Sequence, residues 1–586
     1  MCNYMKDYPR PQLLRNQWEN LNGRWDFAFD DTGNGLALGW QNGFVPQHQI
    51  QVPFTYETKM SGIEDPNPHS GVWYSRTFTA VKSDKRLLLH FEGSDWHTRV
   101  FVNGYFVGEH RGGYARFSFD ITDWIENGEN RLTVYVTDSF SISQPRGKQR
   151  WKKENFGCWY VQTTGIWKTV WMEYVPASRI ERLKLTPDLQ HKSVHIEAEI
   201  CGAEKGMLLA QASFEGIPAG EIRVPVKMGK ATAELGLENL DVCEWGVRIW
   251  SPESPDLYDL QISFYPAGEN TPCDCVKSYF GLREIAIREG KILLNGTELY
   301  QRLILDQGYW PDSHLTPPSE EALIEDLDKI LALGYNGLRK HQKTEDERFL
   351  YWCDRKGVLV WSEFPATYQF DDEAVGNITA EWMEIVRQNY NHPSIITWTP
   401  FNESWGVSEI ARDPMQQHFT EAIYYMTKSL DPMRPVICND GWRHTVSDII
   451  TLHDYAEDAE EFLSYYLNNC KAMLDNHIPF TIDRCHYAFA DGYNYHGQPI
   501  IISEFGGIAF TGDDSGWGYG NKVATKEDFI RRFDAITTAI KQLPYCCGYC
   551  YTQVTDVQQE VNGLLTPDRQ FKIESEIIAK INLKKA

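Results

Sequence analysis

The 586 residues contain no run of about 18 apolar positions, so no membrane-crossing helix is encoded. The opening MCNYMKDYPRPQLLR has no apolar leader core, and export is not expected from it. Cysteine is present but unorganised: the 13 residues are odd in number and scattered, apart from adjacent Cys546 and Cys547, without the repeated spacing of a disulfide framework or zinc site. A reduced, cytoplasmic setting is expected. Positive charge is in deficit, with 57 Lys and Arg against 81 Asp and Glu, a net −24. Such a chain repels phosphate backbones and anionic membranes, which excludes nucleic acid and lipid as partners.

Aromatic residues are abundant, with 20 Trp, 30 Tyr and 28 Phe; their faces suit both cores and sugar rings. The length is too great for one core and suggests roughly three or four domains. Residues 1–178 read as short alternating strands, including 23–29, 86–91 and 99–107, the last broken by a tight Asn103-Gly104 hairpin. This predicts a jelly-roll β-sandwich. Strands continue over 179–284, as in 193–200 and 258–264, at the size of an immunoglobulin-like sandwich.

From 285 to 586 the pattern changes to alternating helix and strand, the signature of a parallel sheet with crossovers. Helices are expected at 320–333, 345–356 and 374–390. Strands are expected at 299–305, 335–339, 358–361, 395–403, 436–439, 449–452, 500–503 and 548–553. Eight such strands make a (β/α)8 TIM barrel. The long segment 454–498 between two strands is expected to wall its mouth.

Two of these strands end in glutamates: Ile395-Ile396-Thr397-Trp398-Thr399-Pro400-Phe401-Asn402-Glu403 and Ile500-Ile501-Ile502-Ser503-Glu504. The C-terminal ends of barrel strands carry the chemistry of this fold, and two carboxylates across one mouth suit glycosidic cleavage. By strand count they close strands 4 and 7. Asn402 is placed to bind a sugar 2-hydroxyl, a contact that strengthens in the transition state. Asp306, after the first strand, is a candidate for sugar hydroxyls, with a turn-capping role as the alternative.

At these residues the sequence resembles glycoside hydrolase family 2, the group of β-galactosidases, β-glucuronidases and β-mannosidases. The motifs are Leu21-Asn22-Gly23-Arg24-Trp25, Gly71-Val72-Trp73-Tyr74, Thr164-Gly165-Ile166-Trp167, Asn391-His392-Pro393-Ser394, Asn402-Glu403 and the run 561–569. The resemblance implies a retaining exo-β-glycosidase that forms a covalent glycosyl-enzyme, with Glu403 as acid/base and Glu504 as nucleophile. Glu403 would then hold its proton near neutral pH, and Glu504 would stay ionised until it attacks. The resemblance also implies substrate contacts from Arg339 and His341, displaced here to Arg339-Lys340-His341-Gln342, and from Tyr455 beside the nucleophile. Trp517 and Tyr551 are candidates for an aromatic platform, with core packing as the alternative.

β-Glucuronidases of the family share an Asn-x-Lys motif for the sugar carboxylate, and the corresponding stretch here is Glu560-Val561-Asn562-Gly563. A small-molecule β-galactoside or oligosaccharide is therefore the first expectation. A β-glucuronide or β-galacturonide, held by Lys340, Arg443 or Lys522, is the alternative. Of other classes, a non-catalytic carbohydrate-binding protein would not need both glutamates, and an endo-acting polysaccharide hydrolase would need an open cleft. No metal ligands or cofactor are expected, although Mg²⁺ or Na⁺ serves some members of the family. A homo-oligomer is expected from the same resemblance.

Overall fold

The computed structural model describes residues 8–237, 246–481, 485–512 and 516–585. Its first unit packs two antiparallel sheets face to face. One has six strands, in the order His48–Val52, Gly23–Phe29, Gly71–Ala80, Gly128–Thr137, His97–Val102, Tyr105–Arg111; the other has four. Period-2 alternation puts Trp25 and Phe27 of one strand into the shared core with Leu87, Leu89 and Val134. Asn103 and Gly104 both have positive φ, at 52° and 83°, as a type I′ hairpin turn requires.

The second unit is a seven-stranded antiparallel arrangement spanning Arg179–Asp188 to Asp274–Phe280. Its halves are joined only at the Lys227–Lys230 hairpin, and the outer strands come together, so the sheet folds over into a sandwich. The strand Lys230–Gly236 alternates strictly between exposed and buried positions, as a sheet with one wet face must.

The third unit is the barrel. Its strands Gln301–Asp306, Gly337–Lys340, Leu359–Glu363, Ile395–Thr399, Ile450–His453, Ile500–Gly506 and Cys546–Thr552 form one parallel sheet. Leu303, Leu305, Trp361 and Ile501 fill the interior, while Ile304, Val360 and Ile502 pack outward against the helices. Helices begin where a side chain caps them: Ser319 starts Glu320–Ala332, Asp346 starts Glu347–Lys356 and Asp371 starts Asp372–Asn389. The second of these starts two residues later than expected because Asp346 is its cap.

The expected fifth strand, 436–439, is not a regular strand. Only isolated bridges, Trp398 to Val436 and Asn402 to Asp440, tie it to the fourth. On its other side Asp448 and Ser447 side chains accept from the Val436 and Cys438 N–H groups, at 2.9 and 3.1 Å, in place of a strand ladder. A Cys-x-x-Cys spacing, Cys547 to Cys550, lies within the last strand with both residues in the barrel interior, and no disulfide forms among the described residues. No helix among the described residues is long and apolar enough to cross a membrane.

Candidate active site

Strict alternation along Ile500–Gly506 would send Glu504 outward with Ile502. The strand pairing slips on both edges here, at Leu452/His453 on one side and Ile502/Phe505 on the other. Such irregularities re-aim side chains, and Glu504 meets the barrel's inner polar groups. Glu403 lies past its strand, after Pro400. Both Glu403 and Ser404 adopt left-handed backbone, at φ 51° and 61°, a conformation that costs free energy in non-glycine residues and clusters at functional sites. It is held by the Glu403 N–H on the Asp440 carbonyl at 2.8 Å and the Ser404 N–H on Asn439 Oδ1 at 2.9 Å.

Between the two glutamates stands Arg339, fully buried at the end of the second strand. Its guanidinium meets Glu363 Oε2 at 2.7 Å, Asp440 Oδ2 at 2.9 Å, Glu504 Oε1 at 2.7 Å and Asn402 Oδ1 at 2.6 Å. A buried cation bound by three carboxylates keeps their geometry fixed. Asp440 is held well below the ordinary carboxylate range: burial opposes its charge, but Arg339 and His453 outweigh burial. Glu363 goes the other way, up to about 7, because burial dominates and Asp440 adds to it. His341 is kept neutral by burial and by the nearby Lys148 and Arg339 charges.

The two glutamates share His453, the last residue of the sixth strand. Its Nδ1 is 2.9 Å from Glu403 Oε1 and 3.5 Å from Glu504 Oε2, and its Nε2 is 3.2 Å from Asp440 Oδ2. Burial disfavours a charged ring, yet Glu504 and Asp440 push it up to about 10. The same contact overturns an expectation for Glu403. Burial would raise its carboxyl, but the His453 hydrogen bond and charge, with Lys148 and Arg339, hold it below the usual range. Tyr455 donates its hydroxyl to Glu504 Oε2 at 2.5 Å and stacks on Tyr519 at 3.4 Å between ring centroids.

Glu403, His453 and Glu504 are also the set that comes nearest to a cation site among the described residues. Both ring nitrogens of His453 face carboxylates, Nδ1 that of Glu403 and Nε2 that of Asp440.

Asn402, Arg339, His341 and Tyr455 therefore gather around the glutamates as anticipated. Among the described residues the buried Asn402 Nδ2 has no hydrogen-bond partner, a donor open to a substrate hydroxyl. Asp306 does not join them. Lys340 Nζ takes one of its oxygens at 2.6 Å and the Gly308 N–H the other at 2.8 Å, the turn-capping alternative. Tyr551 is fully buried against Phe505 and Phe533, a core residue and no platform. Trp517 stands at the rim, edge-on to Tyr519, with its indole N–H on the Gly157 carbonyl at 3.0 Å.

None of the three cations named for a sugar carboxylate is placed for it. Lys340 is bound to Asp306 and Glu345 at 2.6 and 3.0 Å, Arg443 lies over Tyr487, and Lys522 donates to the Gly516 carbonyl at 2.8 Å. His453, Asp440, Glu363, Tyr519 and Lys148 were missed. The first three end barrel strands in sequence and would have been found by applying the strand-end rule to every polar residue there.

Beside Glu403 opens a cavity of about 580 Å³ lined by Trp442, His453, Tyr455, His486 and Tyr519. Residues 454–481, with the helix Ala459–Leu474, and His486 wall it, contributing Asp454, Glu457, Asp458 and Glu461.

Three family profiles match the sequence in order. They are Glycosyl hydrolases family 2, sugar binding domain, over 18–173; Glycosyl hydrolases family 2 over 178–283; and Glycosyl hydrolases family 2, TIM barrel domain, over 285–581. The chain is 27% identical to a β-galactosidase from Thermoanaerobacter pseudethanolicus, over 79% of this chain and 58% of that protein. It is 25% identical to the β-glucuronidase of Rattus norvegicus, over 84% of this chain and 78% of that protein. It spans 50% and 58% of the length of two curated bacterial relatives that it matches. The structure of a β-galacturonidase from Eisenbergiella tayi, bound to glycerol, shares the fold with a TM-score of 0.75 over 98% of each chain at 21% identity. With two sandwiches and a barrel each matched in sequence order, the chain belongs to glycosyl hydrolases family 2.

Proposed function

We propose that this chain, divided near residues 178 and 284, is a retaining exo-β-glycosidase with Glu504 as nucleophile and Glu403 as acid/base. The observation that carries this reading is the spacing. The reactive atoms of Glu403, His453 and Glu504 lie within 4.8 Å of one another. Retaining enzymes hold their carboxyl groups about 5–5.5 Å apart, and inverting enzymes leave roughly 6.5–9.5 Å for a water.

In the first step Glu504 attacks the anomeric carbon as the glycosidic C–O bond breaks and Glu403 gives its proton to the departing oxygen. Glu403 then takes a proton from water, whose oxygen displaces Glu504 and restores it. Arg339 and Tyr455 fix the attacking carboxylate, and Asn402 Nδ2 is free for the sugar. The wall formed by 454–481 and His486 supports exo action on a chain end.

For the sugar we favour a β-hexuronide, glucuronide or galacturonide, over the β-galactoside suggested by the missing lysine. Support comes from the β-glucuronidase of Rattus norvegicus, matched over 84% of this chain and 78% of that protein. Hydrolysis of aryl β-glucuronide, galacturonide, galactoside, glucoside and mannoside by wild type and Glu504→Gln tests both parts. Uronide turnover lost in the variant is expected. Turnover retained in Glu504→Gln refutes the nucleophile assignment, and a galactoside preference refutes the sugar.

A further inference from the structure

An anionic sugar among Glu403, Glu504, Glu363, Asp440 and Glu560 needs a cation that is not already committed. Arg339 is bound by three carboxylates, His453 by another set, and the stretch where the family's β-glucuronidases carry lysine presents Glu560 and Asn562 instead. Glu560 is itself saturated: Tyr160 OH and Gln307 Nε2 donate to one oxygen and Asn562 Nδ2 to the other.

Lys148 stands apart from these. It belongs to the first sandwich, in the loop Arg146-Gly147-Lys148, and is 9% exposed. Among the described residues no carboxylate stands within ion-pairing distance of its ammonium. The groups it acts on are the Cys158 thiol, Glu560, Tyr368 and Glu403, and His341 also feels its charge.

The loop is built to reach the barrel mouth. The Arg146 and Gly147 N–H groups both donate to the Ala366 carbonyl, at 2.9 and 3.1 Å, just past the Glu363 strand. Gly147 has φ 57°, and a Cβ there would collide with the Gln342 carbonyl beside His341, so only glycine allows this approach. The Lys148 carbonyl then accepts from Tyr160 N–H at 2.8 Å, and Tyr160 continues to Glu560. Burying an ammonium without a counter-ion is costly. A site that maintains one within electrostatic reach of Glu403 has a reason to do so when an anion arrives.

We propose that Lys148, delivered by the first sandwich across the domain boundary, binds the carboxylate of the sugar and sets the preference for uronides. This rests on the uronide reading above and adds the residue that would enforce it.

The experiment compares kcat/KM for 4-nitrophenyl β-glucuronide and β-galacturonide with their uncharged methyl esters and with the β-glucoside and β-galactoside, in wild type, Lys148→Met and Lys148→Arg. Losing one partner of a buried charged hydrogen bond predicts that the acid-to-neutral ratio falls on the order of a hundredfold in Lys148→Met, with Lys148→Arg restoring most of it. Calorimetric titration with D-glucuronate and D-glucose reads the same preference without turnover. A wild type that prefers uronides and a Lys148→Met ratio unchanged, with all substrates falling together, makes Lys148 structural and overturns the proposal alone. A wild type that ignores uronides overturns the uronide reading and Lys148's role with it.

Discussion

Replacing His453 by glutamine tests the least expected feature of the site, the imidazolium shared by its two glutamates. Gln keeps a hydrogen-bond donor and removes the charge. In the wild type the ring sits 2.9 Å from Glu403 and holds the Glu403 carboxyl down. With charge centres about 4 Å apart and an effective dielectric near 20, the attraction is about 4 kcal/mol. The ring faces Glu504 and Asp440 as well as Glu403. An acid must be protonated to act, and the descending limb of kcat/KM against pH reports the free enzyme's acid. In His453→Gln that limb moves to higher pH, as the Glu403 carboxyl is released upward. The measurement is a full pH profile on an aryl glycoside whose leaving group needs protonation. A limb that stays in place or moves to lower pH refutes the coupling. A limb that disappears in Glu403→Gln but not in His453→Gln assigns it to Glu403.

The same histidine predicts a stability effect whose sign is fixed by its raised value. A group raised from about 6.5 to about 10 on folding stabilises fully below about pH 6.5, and that contribution is lost as pH rises toward 10. Wild-type Tm should fall over that window and His453→Gln should show a flatter fall; equal slopes count against a buried imidazolium. Arg339→Met leaves Glu363, Asp440 and Glu504 without their shared cation. The expected cost is about 3–5 kcal/mol, read as an earlier denaturant midpoint for the transition that abolishes activity. A loss below about 1 kcal/mol, the range of exposed ion pairs, rejects the view that Arg339 organises the site.

The fold was legible because each level repeats its signal locally. Alternation of Trp25 and Phe27 with Asp26, the Asn103-Gly104 turn and the Ser319 and Asp371 caps are all encoded within a few residues of where they act. The fifth barrel strand was misread for a related reason: Val436-Ile437-Cys438 has the apolar character of a strand, but its hydrogen bonds go to the Asp448 and Ser447 side chains, and nothing in an apolar run announces that. Glu403 and Glu504 were legible as strand ends. Asp306 shares that position, yet the structure gives it to Lys340, its neighbour across the strand pair. Tyr551 failed because strand position alone does not say which face meets the helices. His453, Asp440 and Glu363 sit at strand ends too, but their importance comes from meeting one another, and that depends on closure of the barrel.

The net charge of −24 was the weakest guide. It says little about the sugar, because most of the acidic groups it counts are at the surface, and at physiological salt their fields decay over about 8 Å. Inside the mouth the balance is set by a few unscreened groups. There three carboxylates are answered by Arg339, His453 carries one more charge, and Lys148 arrives from the first sandwich with no carboxylate at ion-pairing distance among the described residues. A sequence read segment by segment assigns Lys148 to a sandwich loop far from the chemistry. Only the docking of Gly147 against the Gln342 carbonyl turns that loop toward the barrel. Substrate charge is therefore a property of which domains meet at the mouth, and composition averages it away.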